Sequence, residues 1–282
     1  MRDAAHPNVD PAVVEGFGDE WARFDQTAMP GAELRQRFDE YFRIFPWDRL
    51  PAGAIGFDAG CGTGRWAALV APRVGHLHLI DPSDALDIAR RTLASQPNCT
   101  FHKTTIDRMP LPDGSMDFGY SLGVLHHLPD TRQGLADCVR ALRPGAPFLA
   151  YLYYAFDDRP AWFRAIWRAS DAIRRVVSHA PGAVRHAAAE GMALCVYFPL
   201  ARAARALEAI GVDTTNVPLT FYRDKSYYSM RTDALDRFGT RLERRFTRPQ
   251  IRAMFEAAGL GEITFSDRAP FWCAVGIKRA HV

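Results

Sequence analysis

Apolar positions change their period three times along the chain. Val13, Phe17, Trp21 and Phe24 recur at three-to-four spacing, and Leu34, Phe38, Tyr41 and Phe42 do so again, so the first fifty residues read as helices. Pro51 and Gly53 break that pattern. Short apolar runs then predict strands at residues 54–58, 76–81, 100–103, 116–122 and 148–154. Between them, helices are expected at 65–71, from a Ser83 cap to about residue 94, and at 131–142. Strand alternating with helix predicts an α/β fold, a doubly wound and mostly parallel sheet with helices on both faces.

From about residue 155 the period becomes helical, with many aromatic residues and arginines. Trp162, Phe163, Ile166, Trp167, Ile173, Val176 and Val177 fall on one stripe, which predicts a core-facing surface. The sheet pattern returns with a helix at 248–258, stopped by Gly259, and strands near 262–266 and 271–278. The expected organisation is a helical cap over residues 1–50, an α/β core over 51–154, a helical lid inserted at 155–245, and a segment at 246–282 that completes the core.

Composition narrows the class. The chain has 282 residues, 48% of them hydrophobic and 24% charged, as in ordinary globular proteins. A net charge of only +3 gives nucleic-acid binding little support. Cys61, Cys99, Cys138, Cys195 and Cys273 are scattered with no C-x-x-C pair, so no metal site is expected and reduced thiols in a cytoplasmic protein are. Residues 1–11 lack the apolar run of a secretory leader. The longest apolar stretch, 187–201, is interrupted by Glu190 and Pro199, so no membrane span is expected.

The strongest motif is Asp58-Ala59-Gly60-Cys61-Gly62-Thr63-Gly64, between the first strand and a helix. Glycines there let the backbone pass close to a ligand, and N–H groups at the helix start face it. A tight structural turn would read the same way. A dinucleotide site would place a small residue where Arg65 stands, which weakens a nicotinamide or flavin reading. Asp81 ends the second strand at a suitable distance to hold a ribose hydroxyl pair, although an Asp before Pro-Ser also starts helices. Asp107 follows the third strand, where it could accept from an adenine amino group or simply face solvent.

The runs IGFDAGCGTGRWA, LIDPS, IDRMPLPDGSMDFGYSLGVLHHLPD and LRPGAPFL resemble the class I S-adenosylmethionine-dependent methyltransferases, especially a small-molecule group with the SLGVLHH segment. The resemblance covers about 50–154 and extends more loosely over 12–45 and 231–282. It implies S-adenosyl-L-methionine as cofactor. Asp58, Gly60 and Gly62, with Ala59 and Cys61 between, would surround its methionine end, and Asp81 with Pro82 its ribose. Ile106, Asp107 and Arg108 would hold the adenine, the Gly123–Val124 backbone would lie near the sulfonium, and Trp21 joins the set from the N-terminal helices. Gly145-Ala146-Pro147 departs from the usual Gly-Gly, at a turn far from this chemistry.

His126 and His127 are expected to open the helix after the fourth strand, with His127 pointing elsewhere because helical neighbours differ by about 100°. His126 is the candidate general base, and packing against the sheet is its alternative. Tyr153 and Asp157 stand next in line. His127, Tyr154, Tyr227, Tyr228 and Arg231 are candidates for contact with the acceptor; the alternatives are packing against the sheet for His127, core packing for Tyr154, and lid core or solvated lid surface for the other three. The expected activity is methyl transfer to a small molecule, at oxygen or nitrogen rather than carbon. The alternatives are an RNA- or macromolecule-directed methyltransferase and a non-catalytic S-adenosylmethionine-binding module. The acceptor's identity and the oligomeric state have no signature in the sequence.

Overall fold

A computed structural model describes residues 8–24 and 28–280. Parts of the expected N-terminal cap, residues 1–7 and 25–27, lie outside the described residues, as do 281–282. The strands are β1 (Ile55–Ala59), β2 (His76–Ile80), β3 (Cys99–His102), β4 (Phe118–Leu122), β5 (Pro147–Tyr151), β6 (Leu260–Phe265) and β7 (Cys273–Lys278). The helices are α1 (Pro11–Arg23), α2 (Gly31–Phe42), α3 (Ala67–Val70), α4 (Ala85–Thr92), α5 (Thr131–Ala141), α6 (Ala161–Val177), α7 (Gly182–Met192), α8 (Phe198–Ala209), α9 (Tyr227–Gly239) and α10 (Arg248–Ala257).

The chain forms two compact units. The first comprises the described residues of Met1–Trp21, Arg35–Ala155 and Leu242–Val282. It holds one seven-stranded sheet in the order β3-β2-β1-β4-β5-β7-β6. The first five strands run parallel, and β7 runs antiparallel to both its neighbours. This is the expected doubly wound architecture. The order reverses between β1 and β4, which are adjacent, so the connections leaving their carboxyl ends diverge and open a crevice there.

Two glycine–phenylalanine pairs set the centre of that sheet. In register, Gly56 faces Phe118 and Phe57 faces Gly119 across β1 and β4. A Cβ on either glycine would stand 2.3 Å from the partner ring. Each bare backbone is therefore the floor on which a fully buried aromatic ring lies.

Several sequence expectations shift. The helix expected at 65–71 is only α3, followed by a 3-10 turn at Ala71–Arg73, because Pro72 cannot donate the next helical hydrogen bond. The fifth strand ends at Tyr151 rather than residue 154, and Tyr154 makes an isolated bridge to Phe246. Ser83 stands one residue before the N-cap position, Asp84, yet its hydroxyl accepts from the Ala85 N–H at 3.3 Å, so it caps the first residue of α4 as expected. His126 and His127 do not open a helix: they close a 3-10 turn, Leu125–His127, and α5 begins at Thr131. Pro129 disfavours helical backbone at the residue before it. Asp130 then caps α5 by accepting from the N–H groups of Arg132 and Gln133 at 2.9 and 3.1 Å.

The second unit comprises the described residues of Ala22–Leu34 together with Phe156–Arg241. Its core gathers Ala193, Tyr197, Ala201, Met230, Ala234 and Phe238. On α6 the expected apolar stripe divides. Phe163, Trp167 and Val177 are half-buried, whereas Trp162, Ile166, Ile173 and Val176 are exposed, so the stripe is not wholly a core surface. A buried Asp171 holds α6 to the end of α9 through Arg174, which donates to Asp171 at 2.8 Å and to the Thr240 carbonyl at 3.0 Å.

Gly119→Ala should lower stability by about 1–3 kcal/mol, the usual cost of overpacking a filled core. Urea unfolding checks this. A midpoint equal to wild type would show that the Phe57 ring moves aside freely.

Candidate active site

The loop after β1 passes the loop after β4 so closely at Gly60 that no side chain fits there. Gly60 has φ +83, and a Cβ there would lie 2.4 Å from Val124. Only glycine satisfies both constraints. The loop is also tied to its other neighbour, since the N–H groups of Gly60 and Cys61 donate to the Ile80 carbonyl at 2.8 and 3.0 Å. Ser121 of β4 donates to the Ala59 carbonyl at 2.8 Å. Trp21 lies against Gly62, where an added Cβ would sit 3.4 Å from the indole nitrogen. Arg65 stacks 5.4 Å from Trp21 and 4.7 Å from Trp66.

Three carboxylates stand at the strand ends. Asp58 is 1% exposed. Burial pushes its carboxyl up to about 8, with nearby Asp81 adding to the effect and the Tyr120 hydroxyl and Arg65 opposing it. Asp58 Oδ2 and the Tyr120 hydroxyl are both buried and neither makes a hydrogen bond of good geometry, although the hydroxyl lies near enough to stabilise the ionised carboxyl. Asp81 is better satisfied. Oδ2 accepts from the Gly62 N–H at 2.9 Å, and Oδ1 accepts from the Ser83 N–H at 2.9 Å and its hydroxyl at 2.6 Å. A carboxylate has about four acceptor sites, so about one on Oδ2 is left. Burial raises the Asp81 carboxyl, against these three bonds. Asp107 lies in a 3-10 turn between the buried Ile106 and the exposed Arg108, with Oδ1 buried and without a partner.

Pro82, Gly123 and Val124 are half-buried along this edge, and Ala59 and Cys61 are buried. Burial, reinforced by Asp81 and Asp58, pushes the Cys61 thiol well above its ordinary value, which keeps it neutral. Two carboxylate oxygens without a bond of good geometry, on Asp58 and Asp107, and one spare acceptor on Asp81 thus stand at or beyond the carboxyl ends of β1, β3 and β2. Buried acceptors without partners ordinarily mark a missing ligand or water.

Beyond β4, the rings of His126 and His127 lie 4.1 Å apart, contrary to the divergence expected for helical neighbours. The Tyr153 ring lies 3.8 Å from His126. His126 is 0% exposed and neither ring nitrogen has a hydrogen-bond partner. Burial, with the charges of His127 and Arg245, holds its imidazole well below its ordinary value. His127 donates from Nδ1 to the Leu242 carbonyl at 2.7 Å and meets the edge of Phe17 at 5.0 Å.

The segment after α9 laces this group together, and nothing in the sequence pattern announced it. Arg244 N–H donates to the His126 carbonyl at 3.1 Å, and Phe246 N–H to the Tyr153 carbonyl at 2.8 Å. Arg245 lies 5.0 Å over the Tyr153 ring and pairs with Glu243 at 2.7 Å. Ser83, two residues after Asp81, was legible only as a helix cap. The spacing is that of an Asx turn, which could have exposed its bond to Asp81.

The candidates do not all converge. Tyr154 is buried against Phe271 and Trp272. Asp157 is exposed and belongs to the second unit. Tyr227, Tyr228 and Arg231 form their own cluster in that unit. Tyr227 and Arg231 both donate to Glu190, at 2.8 and 2.7 Å, and Tyr228 meets Phe24 edge-on at 5.7 Å. Among the described residues, no three His, Cys, Asp or Glu side chains are grouped to hold a metal ion. Nor is any helix among them long and apolar enough to cross a membrane.

Comparison with known proteins follows this geometry. A methyltransferase-domain family model matches residues 57–150. A Mycolicibacterium smegmatis protein named as a probable S-adenosylmethionine-dependent methyltransferase is 34% identical over 98 residues, 35% of this chain and 37% of its own length. The ubiquinone biosynthesis O-methyltransferase of Hahella chejuensis is 30% identical over 148 residues, 49% of this chain and 60% of its own. The chain thus spans less than two thirds of either relative. In fold, it is similar to a chain from the Haloferax volcanii complex of the Trm112 methyltransferase activator with a methyltransferase. That match has a TM-score of 0.52 and 17% identity, covering 96% of this chain and 99% of the other. Residues 57–150 are thus similar to a methyltransferase domain, and the M. smegmatis relative matched over part of its length is named as S-adenosylmethionine-dependent.

Proposed function

We propose that the protein transfers a methyl group from S-adenosylmethionine to an oxygen or nitrogen of a small molecule. The observation that carries this reading is the set of three carboxylates at or beyond the carboxyl ends of the adjacent strands β1, β2 and β3, one of them bonded to the glycine turn and the other two with a buried oxygen that makes no bond of good geometry. The cofactor, when bound, supplies an electrophilic methyl group on a sulfonium. The small-molecule acceptor is favoured by the modest net charge of +3 and by the O-methyltransferase among the relatives.

On this reading Asp58 faces the amino acid end of the cofactor, the spare acceptor of Asp81 a ribose hydroxyl, and Asp107 Oδ1 the adenine amino group. His126 is the candidate proton acceptor because both ring nitrogens are unbonded and the ring is neutral. Its burial makes it a weak base, so it acts on a proton already made acidic by methyl transfer. Holding a nucleophilic acceptor in line is the competing source of rate, worth several kcal/mol by itself. Tyr153, stacked on His126, and Asp157 are the next candidates. We carry forward His127 in the first unit and, separately, Tyr227, Tyr228 and Arg231 on α9 of the second as candidates for contact with the acceptor, and the cytoplasm as the protein's location.

Asp81→Ala should weaken cofactor binding by roughly 1.5–3 kcal/mol, because it removes a charged acceptor and frees the Gly62 N–H. Calorimetric titration measures this, and unchanged affinity would remove Asp81 from the site.

Asp58 sets a pH dependence. The folded protein holds its proton up to about 8, whereas an aspartate in an unfolded chain releases it near 3.8. The folding stability tied to this group is therefore fully present at low pH and lost as pH rises from about 4 to 8. A cationic cofactor group beside Asp58 favours the ionised form, so binding between about pH 6 and 8 should release a proton. Affinity should rise by up to about tenfold per pH unit in that window and then level off. Titrations in buffers of different ionisation enthalpy read the proton directly, and Asp58→Asn should abolish the release.

His126→Ala should slow single-turnover methyl transfer at saturating cofactor by about 10²–10⁴-fold with near-normal cofactor affinity. His127→Ala should act mainly on stability, through its lost bond to Leu242. If His126→Ala loses less than a few-fold while remaining folded, the base lies elsewhere.

A further inference from the structure

Ten of the eleven exposed large hydrophobic side chains among the described residues lie between Trp162 and Val212, within the second unit. Single exposed hydrophobics need no explanation, but a concentration of this kind does. The clearest part is α6. Trp162, Ile166, Ile173 and Val176 are 50%, 53%, 49% and 75% exposed. At about 100° per residue they fall in one row along the helix, about 21 Å long. Exposed Ala165, Ala169 and Ala172 fill the surface between and beside them, so no charge interrupts the strip.

The charges of α6 are sorted just as sharply. Exposed Arg164, Arg168 and Arg175 form a second row at the same spacing, bordering the alanine side of the apolar strip. The helix has a single acidic residue, Asp171, and it is 7% exposed. Arg174 and Arg175 already pair with it at 2.8 and 2.9 Å. The solvent-facing charge of α6 is therefore entirely positive. The acids of the two following helices are similarly engaged, Glu190 with Arg231 and Glu208 with Arg223.

We propose that α6 docks the protein on an anionic lipid bilayer, lying in the plane of the headgroups with its apolar row inserted and its arginine row against lipid phosphates. An apolar face carrying a tryptophan beside a basic face is the pattern of interfacial helices, and anionic headgroups supply the charge that the basic row lacks. A second copy of the chain is the poorer occupant. Two-fold pairing through the same strip brings arginine rows together with no exposed acid on α6 to meet them. This surface is independent of the methyl-transfer reading.

The test is co-sedimentation of the full chain with vesicles of phosphatidylcholine alone and of phosphatidylcholine mixed with phosphatidylglycerol. Binding to the mixed vesicles should be about tenfold or more stronger and should weaken with added salt. Ile166→Glu/Ile173→Glu and Arg164→Glu/Arg168→Glu should each reduce it by about tenfold or more while the thermal midpoint stays near wild type, because all four side chains are exposed. A blue shift of fluorescence on the mixed vesicles, lost in Trp162→Phe, reports insertion in a protein whose fold is untouched. Absence of binding to either vesicle would overturn the proposal, as would equal binding by wild type and both double variants. Sedimentation showing a dimer that Ile166→Glu/Ile173→Glu dissociates, without vesicle binding, would assign the strip to a second copy instead.

Discussion

Everything at the candidate site depends on how closely the loop after β1 passes the loop after β4. At Gly60 the backbone has φ +83, and any side chain would collide with Val124. The two loops meet because β1 and β4 are adjacent and parallel, so both leave the same edge of the sheet side by side before their connections diverge. The pairing beneath is equally constrained, since the Phe57 and Phe118 rings each lie over a glycine of the partner strand. A glycine turn above and two glycine floors below together set where the strand ends, and hence the carboxylates, stand.

Those carboxylates carry the electrostatics of the site. Asp58 and Asp81 are both buried, and burial without a cation favours the neutral acid. Asp81 offsets this with three hydrogen bonds, while Asp58 retains an oxygen without a bond of good geometry and a proton up to about 8. A ligand that brings positive charge resolves the imbalance. Under the proposed function the cofactor is such a ligand, and the same burial that weakens Asp58 as a charged group would prepare it for binding.

The histidines show the opposite use of burial. His126 is neutral because its ring is enclosed by Tyr153 and His127 and faces the charge of Arg245. Its position is held from outside the parallel sheet by residues 242–246, whose backbone bonds reach both the His126 turn and the segment after β5. Any contribution of His126 to proton transfer therefore rests on the packing of a segment more than a hundred residues away in sequence.

Much of this was legible beforehand, and for local reasons. The period of apolar residues gave five parallel strands and the helices between them, because a strand buried on both faces and a helix buried on one leave different spacings. Asp58, Gly60, Gly62, Asp81 and Asp107 stood out because strand-to-helix turns next to ligands restrict residue type within a few positions. The misses have a common cause. Pro129 and the Asp130 cap turned a supposed helix start into a 3-10 turn, and the rings of His126 and His127 met instead of diverging. On α6, periodicity marked an apolar surface but could not say which side of it faced the core, since that depends on what the rest of the chain places against it. The sequence by itself thus determined the architecture and the glycine loop after β1, where each requirement is met by neighbours in the chain. Tertiary structure alone decided which oxygens lack partners, how the histidine rings are enclosed and which half of α6 faces water, because burial is a property of contacts between distant segments.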